Sequence, residues 1–292
     1  MRNDPEVQQA VARFQLGLPR MPVSGRMGEL LGRGTGSSLE FQEYREYLPG
    51  DDIRHLDWAA YARSDALMVR LFRDEISPRM EILLDASRSM MSADPRREAA
   101  SPLKPRVASQ LASLFALLGG HLGGRPVLIP ITDHSPLQPL SLETLDQLDG
   151  LTFDSSRSLV DALESHAVPL KRQTVRVVIS DFLFPHDPDA LMRRLATDAA
   201  VLWVLQVLNT WESKPTPLGG RKLIDLESNH EANLQVVEQT IAEYSARLLT
   251  LQQGLSRAAR RVHATFAILI AERGLLDLCA NELCTAEVLR PN

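Results

Sequence analysis

Residues 80–89 read M-E-I-L-L-D-A-S-R-S, and residues 174–181 read T-V-R-V-V-I-S-D. Each is a short run of β-forming residues that stops at an aspartate: Met80 to Leu84 ends in Asp85, and Thr174 to Ser180 ends in Asp181. Largely apolar runs of this length, without regular polar alternation, are the pattern of strands buried on both faces. Working outward, Pro126 to Thr132 and Val201 to Leu208 read as further strands. Val107 to Leu118, Leu159 to Ser165 and Leu191 to Ala199 carry apolar residues at helical spacing. Strands that alternate with helices predict the α/β class, with a doubly wound, mostly parallel sheet flanked by helices.

The flanks extend this frame. After the Pro/Gly-rich stretch S-K-P-T-P-L-G-G at 213–220, the sequence predicts an exposed strand over Lys222 to Ser228. A long helical period follows from Ala232 to Arg261, then a strand from His263 to Ile270 and a terminal helix. Upstream, residues 1–78 are rich in Arg, Glu and Gly, with a short helix near Glu6 to Gln15 and a strand from Leu67 to Phe72. The chain therefore divides into a β-rich N-terminal extension, 1–78, and an α/β domain, 79–292.

Bulk properties exclude several functions. A net charge of -5 argues against non-specific nucleic-acid binding, which needs a basic surface. No apolar run reaches the ~18 residues of a membrane span, and M-R-N-D-P-E-V-Q-Q-A is no signal peptide, so the expectation is a cytoplasmic protein. Cys279 and Cys284 make neither a disulfide framework nor a zinc pattern. The histidines form no H-E-x-x-H, and no G-x-S-x-G elbow surrounds Ser87 or Ser89. Gly32, Gly34 and Gly36 lack the closing Gly-Lys-Ser/Thr of a phosphate loop.

What remains is a constellation at the strand ends. In open α/β sheets, ligands bind beyond the carboxyl ends of the strands. There the sequence places Asp85, Ser87 and Ser89 after one strand and Asp181 after another. Two carboxylates and two hydroxyls are hard oxygen donors, suited to Mg²⁺ or Mn²⁺. Two carboxylates ~4 Å apart repel by about 4 kcal/mol at an effective dielectric near 20, so such a pair wants a cation, a shared proton or a basic side chain. The plainer alternative is that Asp85 caps the following turn and Asp181 opens a loop.

D-A-S-R-S-M at 85–90 resembles the opening of the metal ion-dependent adhesion site of von Willebrand factor A domains, and Ser180-Asp181 resembles their later [ST]-D element. That resemblance implies a metal whose open coordination position takes an acidic side chain of a partner. The block S-L-E-F-Q-E-Y-R-E-Y-L-P-G-D-D-I-R-H-L-D-W-A-A-Y-A-R at 38–63, with L-M-V-R-L-F-R-D-E at 67–75 and K-L-I-D-L-E-S at 222–228, resembles the bacterial "domain of unknown function 58" family. The resemblance implies a von Willebrand factor A-like domain over 79–292 and a non-enzymatic adaptor of a MoxR-type AAA+ ATPase. The sequence departs from the A-domain pattern where a Thr ligand is expected: that position falls on Arg157. Either Ser156 or Ser158 supplies the hydroxyl, or the Arg157 guanidinium stands between Asp85 and Asp181 in place of the cation. A metal-free scaffold and a metal-dependent hydrolase are the alternatives. In the 38–63 block, Phe41, Tyr44, Tyr47, Leu56, Trp58 and Tyr61 alternate with Arg45, Arg54, Arg63, Asp51 and Asp52, which predicts ion pairs around a part-buried aromatic cluster.

Overall fold

The computed structural model describes residues 1–18, 39–47, 56–64, 66–74, 79–92, 103–134, 136–165, 168, 170–217, 219–224 and 231–292. Its chain forms two units, Met1–Met21 with Pro78–Asn292, and Pro22–Ser77.

The larger unit is built on five parallel strands, β4 (Arg79–Asp85), β5 (Val127–Ile131), β6 (Thr174–Ser180), β7 (Ala199–Leu208) and β10 (Thr265–Ile270). Their order across the sheet is β10-β7-β6-β4-β5. Parallel neighbours need crossovers, and helices supply them on both faces. The side chains sort accordingly. Met80, Ile82 and Leu84 join Val175, Val177, Ile179, Trp203 and Leu205 in one buried cluster. Leu83, Val178, Leu202 and Val204 join a second cluster on the opposite face. The first face is covered by α1 (Pro5–Arg13), α3 (Leu103–His121) and α8 (Leu275–Leu278). The second is covered by α4 (Leu159–Glu164), α5 (Pro188–Ala196) and α7 (Glu238–Arg261). The short α6 (Thr210–Ser213) follows β7.

Two helices begin earlier than hydrophobic periodicity shows. α3 starts at Leu103, ahead of Pro105, because a proline in the first helical turn breaks no intrahelical bond. α5 starts at Pro188 behind an Asp187 cap that accepts from Asp189 and Ala190, and ends at Ala196, short of the expected Ala199. The long helix is also corrected. Residues Glu231–Val236 form strand β9, paired antiparallel with β8 (Gly219–Ile224), and the helix begins only at Glu238. The exposed strand expected from Lys222 thus finds its partner in sequence first read as helix. Its end, 225–228, lies outside the described residues.

The first residues belong to this unit. Asp4 caps α1 by accepting from Glu6 and Val7, and Gln110 of α3 donates to both Asp4 and Glu6. The chain then enters β1 (Phe14–Leu16), which pairs antiparallel with β11 (Leu289–Pro291). Gly17 donates to the Val288 carbonyl at 2.8 Å, and a Cβ there would stand 1.9 Å from the Glu287 carbonyl oxygen, so only glycine fits.

At the opposite pole from the strand ends, a charged pair is sealed in the sheet. Glu81 of β4 and Arg176 of β6 are register partners, both essentially unexposed. Glu81 Oε2 accepts from Arg176 Nε at 3.1 Å and Nη2 at 2.9 Å. The remaining guanidinium donors reach the carbonyls of Leu195, Thr197 and Lys171.

In the smaller unit, β2 (Leu39–Glu46) pairs antiparallel with β3 (Met68–Asp74), and α2 (Trp58–Ser64) lies between them in sequence. Leu56 is buried and Tyr47 half-buried, but Trp58 is 64% exposed and meets Tyr61 edge-to-face at 6.4 Å. The expected aromatic cluster is therefore open at Trp58. Pro49-Gly50, Asp51, Asp52, Arg54 and the glycines at 32, 34 and 36 lie outside the described residues, as do the side chains of Phe41, Tyr44 and Arg45. Among the described residues no helix is long and apolar enough to cross a membrane.

Candidate functional site

The neighbouring strands β4 and β6 each end in a polar residue, Asp85 and Ser180, at the carboxyl rim of the sheet. Asp85 closes β4 and is buried. Its Oδ1 accepts from the Ser87 amide at 2.9 Å, so it does cap the turn that follows. Its Oδ2 accepts from the Ser180 hydroxyl at 2.6 Å, which ties the ends of β4 and β6 together. Ser87 and Ser89 converge, with their hydroxyl oxygens 3.0 Å apart. Asp181 is fully buried and holds its own turn through the Leu183 amide at 3.0 Å. Between them Phe182 is forced to a φ of 55, a left-handed conformation costly for a bulky residue. The hydroxyl of Ser180 accepts from the Phe182 amide and holds that turn.

The cation that meets Asp181 is Lys104, from the first turn of α3. Its fully buried ammonium lies 2.9 Å from Asp181 Oδ2 and 2.9 Å from Glu212 Oε1, and also donates to the Ser89 carbonyl and the Ser92 hydroxyl. Burial alone pulls this ammonium down, but the charges of Asp181 and Glu212 outweigh it and hold its pKa above the usual value. Glu212 is placed by a capping box: it accepts from the Asn209 amide while the Asn209 side chain accepts from the Glu212 amide. The Tyr244 hydroxyl of α7 donates to the Glu212 carbonyl, and burial, with the Glu212 and Asp181 charges, pushes the phenol up.

Arg157 stands elsewhere. Its amide donates to Asp133 Oδ1 at 3.0 Å, one Nη is buried without a partner among the described residues, and its guanidinium pairs with neither Asp85 nor Asp181. The basic side chain that meets Asp181 is therefore Lys104, not Arg157, the alternative that would have stood between Asp85 and Asp181. The two hydroxyls offered as substitutes for the missing Thr are also engaged. Ser156 donates to Asp133 Oδ2 at 3.1 Å, and Ser158 caps α4 through Asp161. Asp133, two residues beyond β5, gathers the amides of Ser156 and Arg157 and the hydroxyl of Ser155. Desolvation, the largest single influence, opposes ionisation, but these donors together overcome it and hold the carboxyl below its usual range. The 155–157 loop is in turn stitched to the Asp85 turn, Ser155 donating to the Ala86 carbonyl and Arg88 to the Ser155 carbonyl, each at 3.1 Å.

Sequence reasoning thus missed Lys104, Glu212 and Asp133. Signals existed for two: Asp133 directly follows an expected strand, and N-T-W-E at 209–212 is a capping-box spacing after another. Lys104 had none, because a lysine near a helix start reads as solvated.

The electrostatics are lopsided. Asp85, Asp181 and Glu212 are three buried carboxylates, and Lys104 contacts two of them. Asp85 is left with hydroxyl and amide donors. Burial first, and the Asp181 charge second, raise it from 3.8 to about 6. A carboxyl whose folded pKa is raised contributes stability that is fully present below the unfolded value and lost as pH rises through the folded one. In EDTA, Asp85→Asn should therefore gain on the parent protein as pH rises from about 4 to 7, by about 3 kcal/mol at 1.36 kcal/mol per unit. Urea midpoints of the two proteins across that range provide the check. Parallel curves would show that Asp85 carries no such strain.

Proteins of similar sequence extend over most of this chain. An uncharacterized protein of Mycobacterium bovis is 26% identical over 237 residues, covering 77% of this chain and 73% of its own. Uncharacterized proteins of two Mycobacterium tuberculosis strains match to the same extent. Among solved structures, conserved hypothetical protein BatB from Bacteroides thetaiotaomicron is 14% identical, with a TM-score of 0.31 over 63% of this chain and 99% of its own. An aerotolerance-related membrane protein from Bacteroides fragilis matches 62% and 99% at the same identity and a TM-score of 0.31. The family described as "Protein of unknown function DUF58" matches residues 43–253, and the chain belongs to it.

Proposed function

We propose that this chain is a non-enzymatic binding module of von Willebrand factor A-like design, which engages an acidic side chain of a partner protein at the carboxyl rim of its parallel sheet. One observation carries the reading: the Ser87 and Ser89 hydroxyls meet 3.0 Å apart in the turn that buried Asp85 holds. These are hard oxygen donors beside an uncompensated carboxylate, the chemistry that Mg²⁺ or Mn²⁺ prefers. Asp85, Ser87 and Ser89 would hold the ion, with Asp181 behind them already neutralised by Lys104. The ion, when bound, supplies a positive centre with a coordination position for the partner's carboxylate. The family resemblance directs the partner assignment to a MoxR-type AAA+ ATPase.

Calorimetric titration with Mg²⁺ and Mn²⁺ tests the ion directly. Saturable heat is expected from the parent protein and should vanish in Ser87→Ala/Ser89→Ala, a change that leaves the Asp85 turn intact. Absence of heat from the parent would sink the metal reading. In that case the second reading gains: a metal-free scaffold, favoured by the ammonium already seated on Asp181 and by an arginine at the Thr position. The partner is tested by co-purification with the ATPase, which EDTA should release. Turnover of a generic phosphate ester that disappears in Asp85→Ala would instead mark an enzyme.

A further inference from the structure

A groove of about 630 Å³ runs between α5 and α7, on the second face of the sheet. Its volume is ordinary for a ligand-binding cleft. Its α7 wall is a stripe at helical spacing that includes Arg247, Leu251, Gly254, Arg257 and Arg261. Gly254 lets the two helices approach, since a Cβ there would stand 3.2 Å from Pro188 Cγ.

The polar groups in this groove are left asking for a ligand. Arg261 is paired with Asp189 at 2.8 Å, whereas Arg247 and Arg257 have no carboxylate among the described residues. On the α5 side, the His186 ring lies 4.9 Å from Phe184, and its Nδ1 is 2.7 Å from the Phe184 carbonyl. A carbonyl only accepts, so Nδ1 carries the proton and Nε2 presents a lone pair. That Nε2 is buried and has no partner among the described residues. The groove therefore offers arginine donors along its α7 wall, with the His186 ring at its α5 end.

We propose that the α5–α7 groove docks an acidic peptide segment of a partner protein. An acidic peptide brings the complement of the arginines, a row of carboxylates. The length also fits. Arg247 and Arg257 are ten residues apart on one helix, about 15 Å at 1.5 Å per residue. That span suits about five residues of extended chain at ~3.3 Å each and exceeds what one phosphate group can bridge. The site shares no residue with the Asp85 rim and does not rest on the metal reading.

Fluorescence anisotropy of a labelled octaglutamate peptide on the full chain is the test. Saturable binding is expected, weakened by salt and at least tenfold weaker in Arg247→Glu/Arg257→Glu. With EDTA present, so that no ion at the Asp85 rim can take a carboxylate, Ser87→Ala/Ser89→Ala should leave it unchanged. Hydrogen exchange on the parent protein should show peptide protection over 186–190 and 246–261, a readout that needs no variant. Arg247→Gln/Arg257→Gln serves should charge reversal disturb folding. The proposal is overturned by a lack of saturable binding, by full binding in both double variants, or by protection elsewhere. Equal binding of octalysine, or displacement of the peptide by an equal concentration of inorganic phosphate, overturns it as well.

Discussion

Lys104→Met is expected to lower the unfolding free energy by about 3–5 kcal/mol, the cost of leaving one side of a buried ion pair uncompensated. Lys104 is fully buried, and its ammonium is shared between Asp181 and Glu212 at 2.9 Å each. Without it, two buried carboxylates join Asp85 with no cation at their centre. A thermal midpoint about 10 °C lower should accompany the change, given roughly 2–4 °C per kcal/mol for a domain of this size. Lys104→Arg should recover little, because a planar guanidinium does not fit a cavity closed around a compact ammonium. Adding Asp181→Asn to Lys104→Met should restore part of the loss. Divalent ions should stabilise Lys104→Met more than the parent protein, since they and the ammonium address the same excess charge. An unchanged urea midpoint in Lys104→Met would mean that Asp181 and Glu212 share a proton instead.

Arg176→Met should be comparably damaging, by about 3–5 kcal/mol, because it strands the Glu81 carboxylate inside the sheet. The loss should be confined to stability, since Glu81 and Arg176 occupy the opposite end of β4 and β6 from Asp85 and Asp181. The double replacement Glu81→Leu/Arg176→Met should be far milder than either single change, as a buried pair exchanged for apolar side chains is often close to neutral. The carbonyls of Leu195, Thr197 and Lys171 that Arg176 now satisfies set the residual cost. Urea midpoints of the three variants form the cycle. Additive losses would show that the pair does not act as a unit.

The strands were legible because each is a short, largely apolar run, and β4 and β6 are closed by a polar residue. Thr174 to Ser180 was bounded in full from sequence alone. Asp85 and Asp181 were legible for the same reason, as the residues that end those runs. The rest depended on contacts distant in sequence. Lys104 is 77 residues from Asp181, and nothing local distinguishes it from a solvated helix lysine. Residues Glu231–Val236 became a strand because β8 offers a hairpin partner, a tertiary choice that overrode a helical period. The Arg157 expectation failed for a related reason. The Asp133 carboxylate claims the backbone of that loop, and Lys104 had already reached Asp181 from the other side.

The pairing of β1 with β11 also orders events on the ribosome. Phe14, Gln15 and Leu16 cannot complete their ladder until Leu289, Arg290 and Pro291 have emerged. At ~5–20 residues per second, that wait is on the order of tens of seconds. Helix α1 can settle on α3 much earlier, but the segment after it stays unclosed until the last residues of the pair arrive. A nascent chain cut short before Leu289 would thus leave Phe14, Gln15 and Leu16 without their ladder partners.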